Sequence, residues 1–261
     1  MRPCLLNKIF LAKSTILFQP DLCRLGRNVI KMKIEILFPE LCNLFGDMYN
    51  MKYLKMCLPD AEFIETAIED IPAFAREEVN LIYLGPMTEK TQEKVIAKLL
   101  PYKEKIEELI EKNVVFLFTG NAIEVLGNYI ENEDGSKIEA VGIFDIHSKR
   151  DMMHRHNSYF VGKYEDIEIV GFKSQFTMLY GDNSNMYFSE AEKGIGINKG
   201  SKLEGIQKNN FIGTYLLGPL LILNPLFTKK LIEKMGAEVE VALEKETMAA
   251  YEARLKELKK L

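Results

Sequence analysis

The sequence predicts an α/β domain with a mainly parallel central sheet, helices on both of its faces, and an antiparallel extension. Two patterns predict it. Short apolar strands alternate with helices through the first half, as parallel sheets require. From Gly135 onward the pattern changes to closely spaced strands with little helix between them. The chain's 261 residues, 47% apolar and 28% charged, suffice for one large domain or a domain with appendages.

The elements follow in order. Apolar runs of period two or continuous burial mark strands at Lys33–Phe38, Glu62–Ile68, Leu81–Gly85 and Val114–Phe118. Between them, Gly46–Leu58 places Met48, Met51, Leu54 and Cys57 on one helical face. Glu89–Asn113 reads as a Lys/Glu-rich helix that opens behind Thr88 as N-cap and breaks at Pro101. Later strands are expected at Ala140–His147, Ser158–Tyr164, Ile167–Gln175 and Phe211–Leu216. Asn224–Met235 reads as a helix that stops at Gly236. In the charged segment 237–261, Met248, Tyr251, Leu255 and Leu258 fall on one face, as expected of a helix docked on its own domain.

Composition excludes several classes. The formal net charge of -4 and a pI near 5.6 leave no basic footprint for nucleic acid. No apolar stretch reaches the roughly 18 to 20 residues of a membrane-spanning helix. Cys4, Cys23, Cys42 and Cys57 show no CxxC pair and no His spacing suited to zinc, so they read as reduced thiols of a cytoplasmic protein. Residues 1–31 stand apart. They hold Arg2, Lys8, Lys13, Arg24, Arg27 and Lys31 against Asp21 alone, so the acidic excess lies in the remainder. Lys13 interrupts their apolar run and no small-residue cleavage site follows, unlike a signal peptide. The domain is expected to begin at Met32, with residues 1–31 an extension.

Two segments carry the functional signal. In Val114-Val115-Phe116-Leu117-Phe118-Thr119-Gly120-Asn121-Ala122-Ile123-Glu124-Val125-Leu126-Gly127, a buried strand breaks at Thr-Gly and resumes as a helix. That is the elbow that presents a nucleophile at the top of an α/β sheet. The second segment is Asn209-Asn210-Phe211-Ile212-Gly213-Thr214-Tyr215-Leu216-Leu217-Gly218-Pro219-Leu220-Leu221. With Phe38-Pro39-Glu40-Leu41-Cys42-Asn43-Leu44-Phe45-Gly46-Asp47, Gly142-Ile143-Phe144-Asp145 and Gly171-Phe172 in the same order, they resemble class I glutamine amidotransferases of the cobyric-acid-synthase type. In particular they resemble the glutaminase subunit of lipid II isoglutaminyl synthase, a cell-wall enzyme. The resemblance implies a flavodoxin-like amidotransferase domain over residues 32–236, a Mur-ligase-like protein as partner, glutamine or a related small molecule as ligand, and no cofactor.

Glutaminase chemistry needs a thiolate on the elbow tip, a histidine base, and backbone donors for the oxyanion. By the family pattern the nucleophile position is Gly120, which has no side chain. The base position is Leu217, which cannot move a proton. The oxyanion-turn positions are Gly85, Pro86 and Asn121, and Pro86 has no N–H. Glycine adopts a strained elbow without cost, so losing the nucleophile preserves folding. Leu217 adds apolar burial, as expected of a pocket that has closed.

Other residues compete for a role. Thr119 adjoins the tip but is expected to face off the site, and Cys42 and Cys57 are expected to be buried structural thiols. His147, His154 and His156 lie in a charged segment without carboxylate or thiolate at useful spacing, so no metal site is expected. Arg155 is the position that the resemblance assigns to the substrate carboxylate, with Arg150 close by in sequence. The reading is a subunit without glutaminase activity. The alternatives are an active glutaminase using other residues and a stand-alone small-ligand binding module.

Overall fold

The computed structural model describes residues 31–261; the expected basic extension, Lys31 apart, lies outside the described residues. The strands are β1 (Lys33–Leu37), β2 (Glu62–Thr66), β3 (Leu81–Leu84), β4 (Val115–Thr119), β5 (Tyr129–Glu131), β6 (Lys137–Glu139), β7 (His147–Arg150), β8 (His156–Tyr164), β9 (Ile167–Gln175), β10 (Thr177–Tyr180), β11 (Ser189–Lys193), β12 (Leu203–Glu204), β13 (Ile206–Lys208) and β14 (Phe211–Thr214). The helices are α1 (Tyr49–Cys57), α2 (Glu89–Leu99), α3 (Lys103–Glu111), α4 (Leu220–Leu223), α5 (Pro225–Lys234) and α6 (Glu244–Leu258).

A six-stranded sheet in the order β13-β14-β4-β3-β1-β2 forms the centre. Every neighbour in it is parallel except β13, which pairs antiparallel with β14. Alternate residues of each strand feed opposite cores, as the two-residue period dictates. Ile82, Leu84, Phe116 and Phe118 pack with Val95, Leu99 and Ile106 of α2 and α3. Leu81, Tyr83, Val115 and Leu117 pack with Leu54 of α1, Leu220 and Leu221 of α4, and Phe227 of α5. Burial on both faces explains why these strands read as nearly continuous apolar runs.

The strands from Ala140 onward were expected to extend this sheet as an antiparallel part; of these, Phe211–Leu216 joins it as β14 but runs parallel, and the antiparallel edge is β13. The others form two further four-stranded sheets, β10-β7-β5-β6 and β12-β11-β8-β9. The strand expected at Ala140–His147 begins only at its last residue. Ahead of it, Gly142 turns at φ +73° and Gly142–Phe144 hydrogen-bond back to Leu126 and Gly127, which clamps the segment to the turn after β4 rather than to a strand. The long helix after Thr88 is two helices. The Thr88 hydroxyl accepts from Thr91 N–H at 3.2 Å, capping α2, and the 3-10 turn around Pro101 separates it from α3.

The C-terminal helix is docked on its own domain. Tyr251 and Leu258 are buried against Val161 and Val170 of β8 and β9, with Met248 and Leu255 packed beside them. The Tyr251 hydroxyl donates to the Glu168 carbonyl at 2.9 Å. Tyr251→Ala removes a buried ring and that bond together, so we expect a loss of roughly 3 kcal/mol in stability, read by chemical denaturation. A loss below about 0.5 kcal/mol would show that α6 rests on the domain without supporting it.

Candidate functional site

The register of three adjacent parallel strands builds the site. Leu84 of β3 and Gly213 of β14 both pair with Phe118 of β4, so the carboxyl ends of the three strands finish level. Ligand sites of open α/β sheets lie at this edge. The loops leaving it carry Gly85-Pro86-Met87, Gly120-Asn121 and Tyr215-Leu216-Leu217, which is why positions far apart in sequence meet there.

Gly120 sits at the tip with φ +59°, the left-handed conformation that favours glycine. The chain continues from it as a 3-10 helix, Gly120–Leu126. A β-carbon on Gly120 would stand 2.6 Å from Cβ of Pro86 and 3.3 Å from Cδ2 of Leu217. The three expected positions therefore come together, and two of them press on the space above the third. Leu217 is buried and locked by paired backbone bonds to Phe172, at 2.8 and 3.2 Å. Gly85 is equally constrained, since a β-carbon there would lie 2.5 Å from the Cys42 carbonyl oxygen.

The oxyanion turn is occupied as well. Met87 N–H donates to Asn121 Oδ1 at 3.0 Å, and Asn121 Nδ2 donates back to the Met87 carbonyl at 2.8 Å. The Asn121 side chain thus ties the turn after β3 to the elbow and consumes the N–H that follows Pro86. The pocket has not closed, contrary to expectation. About 190 Å³ remains, bounded by Leu44, Phe45, Pro86–Glu89, Gly120, Asn121, Arg155, Ser174–Thr177, Tyr215 and Leu217. Two of its lining residues, Tyr215 and Thr177, are held by Glu124, a buried carboxyl that accepts from Tyr215 Oη at 2.9 Å, from the Thr177 hydroxyl, and from Gln92 Nε2 at 2.9 Å. Burial pushes its pKa upward.

Arg155 lines this pocket, its guanidinium 4.3 Å from the centre of the Phe176 ring. Arg150 does not. It is buried among Gln92, Asn132 and Glu93, with hydrogen bonds of 3.0 Å to Gln92 and Asn132, and serves the framework. Thr119 is fully buried and its hydroxyl donates to the Asp47 carboxylate, on the side away from the pocket. Cys42 and Cys57 are free and buried. Burial pushes the Cys42 thiol up to about 12, leaving no thiolate for nucleophilic work at neutral pH. His147 stacks on Tyr129 at 4.8 Å, His154 bonds Asp151 and His156 bonds Ser158. Among the described residues no group of three or more His, Cys, Asp or Glu is placed to hold a metal ion.

Glu124 escaped the sequence reading, although a lone acid inside Ala122-Ile123-Glu124-Val125-Leu126 was a visible signal of a buried, satisfied carboxyl. Glu89 and Gln175 also line the pocket, and nothing in their sequence context marks them.

The contact between Pro86 and the elbow tip gives a direct expectation. Gly120→Ala should cost roughly 2–4 kcal/mol through left-handed strain and overpacking. In a double-mutant cycle with Pro86→Gly, at least about 1 kcal/mol of that cost should disappear. A Gly120→Ala protein as stable as the parent would contradict the geometry.

A family profile described as the CobB/CobQ-like glutamine amidotransferase domain matches residues 33–225. One relative, the lipid II isoglutaminyl synthase (glutamine-hydrolyzing) subunit GatD of Staphylococcus aureus (strain N315), is 25% identical over 194 residues, 74% of this chain and 79% of that protein. The subunit of the same name from Streptococcus pneumoniae (strain ATCC BAA-255 / R6) is 22% identical over 229 residues, 83% of this chain and 86% of its own length. Among solved structures, a glutamine amidotransferase superposes with a TM-score of 0.54 at 10% identity, over 78% of this chain and 100% of the other. PurLQS from Thermotoga maritima gives a TM-score of 0.52 at 12% identity, over 87% and 100% respectively. These two likenesses establish the fold alone. The profile match spans most of the chain and falls on the sheet and elbow described above: the protein belongs to the CobB/CobQ-like glutamine amidotransferase family.

Proposed function

We propose that this chain is an amidotransferase-like subunit without glutaminase activity, working as the bound partner of a Mur-ligase-like protein that forms an amide. The observation that carries this reading is the apolar contact of Pro86 and Leu217 over Gly120. Acyl transfer from glutamine needs a nucleophile, a base and an oxyanion donor at one point. At that point stand a hydrogen atom, an aliphatic chain and a proline ring, and the next N–H is already bonded to Asn121. The two relatives are named as subunits of lipid II isoglutaminyl synthase, which supports a role inside a complex.

A domain relieved of turnover keeps its shape where the shape has another use, and subunit contact is such a use. The complex would draw on free ammonia, with this chain as scaffold or regulator. Arg155 would remain as a grip for a carboxylate in the surviving pocket. Buried reduced thiols at Cys42 and Cys57 fit a cytoplasmic protein. No helix among the described residues is long and apolar enough to cross a membrane.

Two measurements test the proposal. Purified chain, alone or with the Mur-ligase-like protein, should release no more ammonia from glutamine than a heat-treated control. Co-expressed with that protein, it should co-elute on gel filtration at micromolar concentration, as an interface of about 1,200–2,000 Å² sustains. Ammonia release abolished by Thr119→Ala or by thiol blocking would establish the active-glutaminase alternative. Separate elution at both low and moderate salt would defeat the partner-subunit reading.

A further inference from the structure

Each of the three sheets ends in two edge strands, and an open edge offers unpaired N–H and C=O groups to any strand that arrives. Most of these edges are closed from outside. Along β9 the Asn224 side chain bonds both backbone groups of Val170 at 2.8 Å, and Leu217 bonds both of Phe172. On β10, Leu179 N–H donates to the Ile197 carbonyl at 3.0 Å, and the Leu179 carbonyl accepts from Asn198 Nδ2 at 2.8 Å. On β13, Gln207 N–H donates to the Met186 carbonyl at 2.6 Å, and on β12 the Leu203 carbonyl accepts from Ile197 N–H at 2.8 Å. Strand β6 is only three residues long.

Strand β2 is the exception. Its five residues have no neighbour on the side away from β1 among the described residues. Glu62 N–H donates to the Met32 carbonyl at 2.8 Å, and the Thr66 carbonyl accepts from Phe38 N–H at 2.7 Å, so Glu62, Ile64 and Thr66 spend their backbone groups on β1. By alternation, the N–H and C=O of Phe63 and Glu65 point outward. Turns close the ladder at both ends, through Ala61 N–H to the Leu58 carbonyl at 3.1 Å and Asp70 N–H to the Ala67 carbonyl at 3.0 Å. The opening fits an extended segment of about four residues.

Its surroundings give the opening a sign. A groove of about 520 Å³ runs beside it, with Ile64, Glu65, Glu69, Asp70, Ile71 and Arg76 in its lining. Glu65, Glu69 and Asp70 are exposed, and none is in an ion pair among the described residues, so three carboxylates face one guanidinium. Lys55 lies over the Phe63 ring, 5.7 Å from its centre, and forms no ion pair with these acids. Phe63 and Ile64 are half-buried and Ile71 is 56% exposed, which leaves apolar surface between the charges. A second copy of the chain would set this acidic edge against itself, and like charges across a strand pair are destabilising. A strand that carries lysine or arginine satisfies the backbone groups and the carboxylates together.

We propose that the β2 edge is a strand-addition site for an extended, lysine- or arginine-bearing segment of a partner protein. That segment pairs with the backbone of Phe63 and Glu65 and sets its cations against Glu65, Glu69 and Asp70. None of these residues bounds the pocket at the carboxyl edge, so the site stands whether or not the chain hydrolyses glutamine.

Fluorescence anisotropy of the full chain tests this with two labelled, C-terminally amidated hexapeptides, Lys-Val-Lys-Val-Lys-Val and Glu-Val-Glu-Val-Glu-Val. The lysine peptide should bind at least tenfold more tightly than the glutamate peptide. At saturation it should slow amide hydrogen exchange of Phe63 and Glu65 at least tenfold, read by NMR, while the amides of β3 keep their rates. Glu65→Pro removes one outward donor at an edge position that tolerates proline, and should weaken the lysine peptide at least tenfold. Glu65→Lys, at an exposed position, should cut the preference for the lysine peptide at least threefold. Circular dichroism confirms that both variants are folded. A lysine peptide that fails to bind at millimolar concentration, equal binding of the two peptides, or protection that spares Phe63 and Glu65 would each overturn the proposal. So would a dimer in sedimentation that Glu65→Pro dissociates, because a second copy would then close the edge.

Discussion

At Gly120 the chain leaves β4 in a left-handed turn, and the β-carbon of any other residue would stand 2.6 Å from the Pro86 side chain. This crowding ties three loops to one another. The β3 loop brings Pro86 and the β14 loop brings Leu217 to within 3.3 Å of where that β-carbon would lie, and the strands that carry them end level with β4. The identities of the three positions are therefore coupled through one contact. A side chain placed at Gly120 alone would meet the proline ring.

Behind the site, buried polar groups fix the loops that the apolar contact brings together. Glu124 gathers Tyr215, Thr177 and Gln92, linking the elbow to β10, α2 and the segment after β14. Lys173 and Glu204 form a fully buried ion pair at 3.3 Å; Glu204 also accepts from Thr214 Oγ1 at 2.8 Å and from Tyr215 N–H at 3.0 Å. Removing either charge would strand the other in the interior, which costs far more than the pair contributes. None of Glu124, Lys173 and Glu204 is among the residues that bound the pocket, so the network acts through the loops it fixes. Its effect is to hold the β14 loop in register over the pocket.

The parallel core was legible because strands such as Val115–Thr119 are buried on both faces and read as unbroken apolar runs. The elbow was legible because Thr-Gly after such a run has few other meanings, and the left-handed Gly120 confirms the conformation expected of it. Sheet membership of the later strands was not legible. Strands β8 and β9 pair over nine residues with each other, and period-two patterning says which face of a strand is buried but not which sheet receives it. The Ala140–His147 segment misled for a related reason: its apolar residues are buried by clamping to the Leu126–Gly127 turn, not by strand pairing. In the site, Arg155 could be placed by family order, whereas Glu89 and Gln175 come from different elements and meet only through the fold. That Leu217 narrows the pocket without filling it depends on side-chain packing that no periodicity reports.

On the function proposed above, no nucleophile addresses the pocket at the carboxyl edge of the sheet. Intact-mass spectrometry after incubation with a diazoketone analogue of glutamine measures this most directly, because such an electrophile alkylates any nucleophile positioned for the amide carbon. The mass is expected to stay unmodified, alone and with the Mur-ligase-like protein present. A stoichiometric adduct on this chain, blocked by excess glutamine, would contradict it.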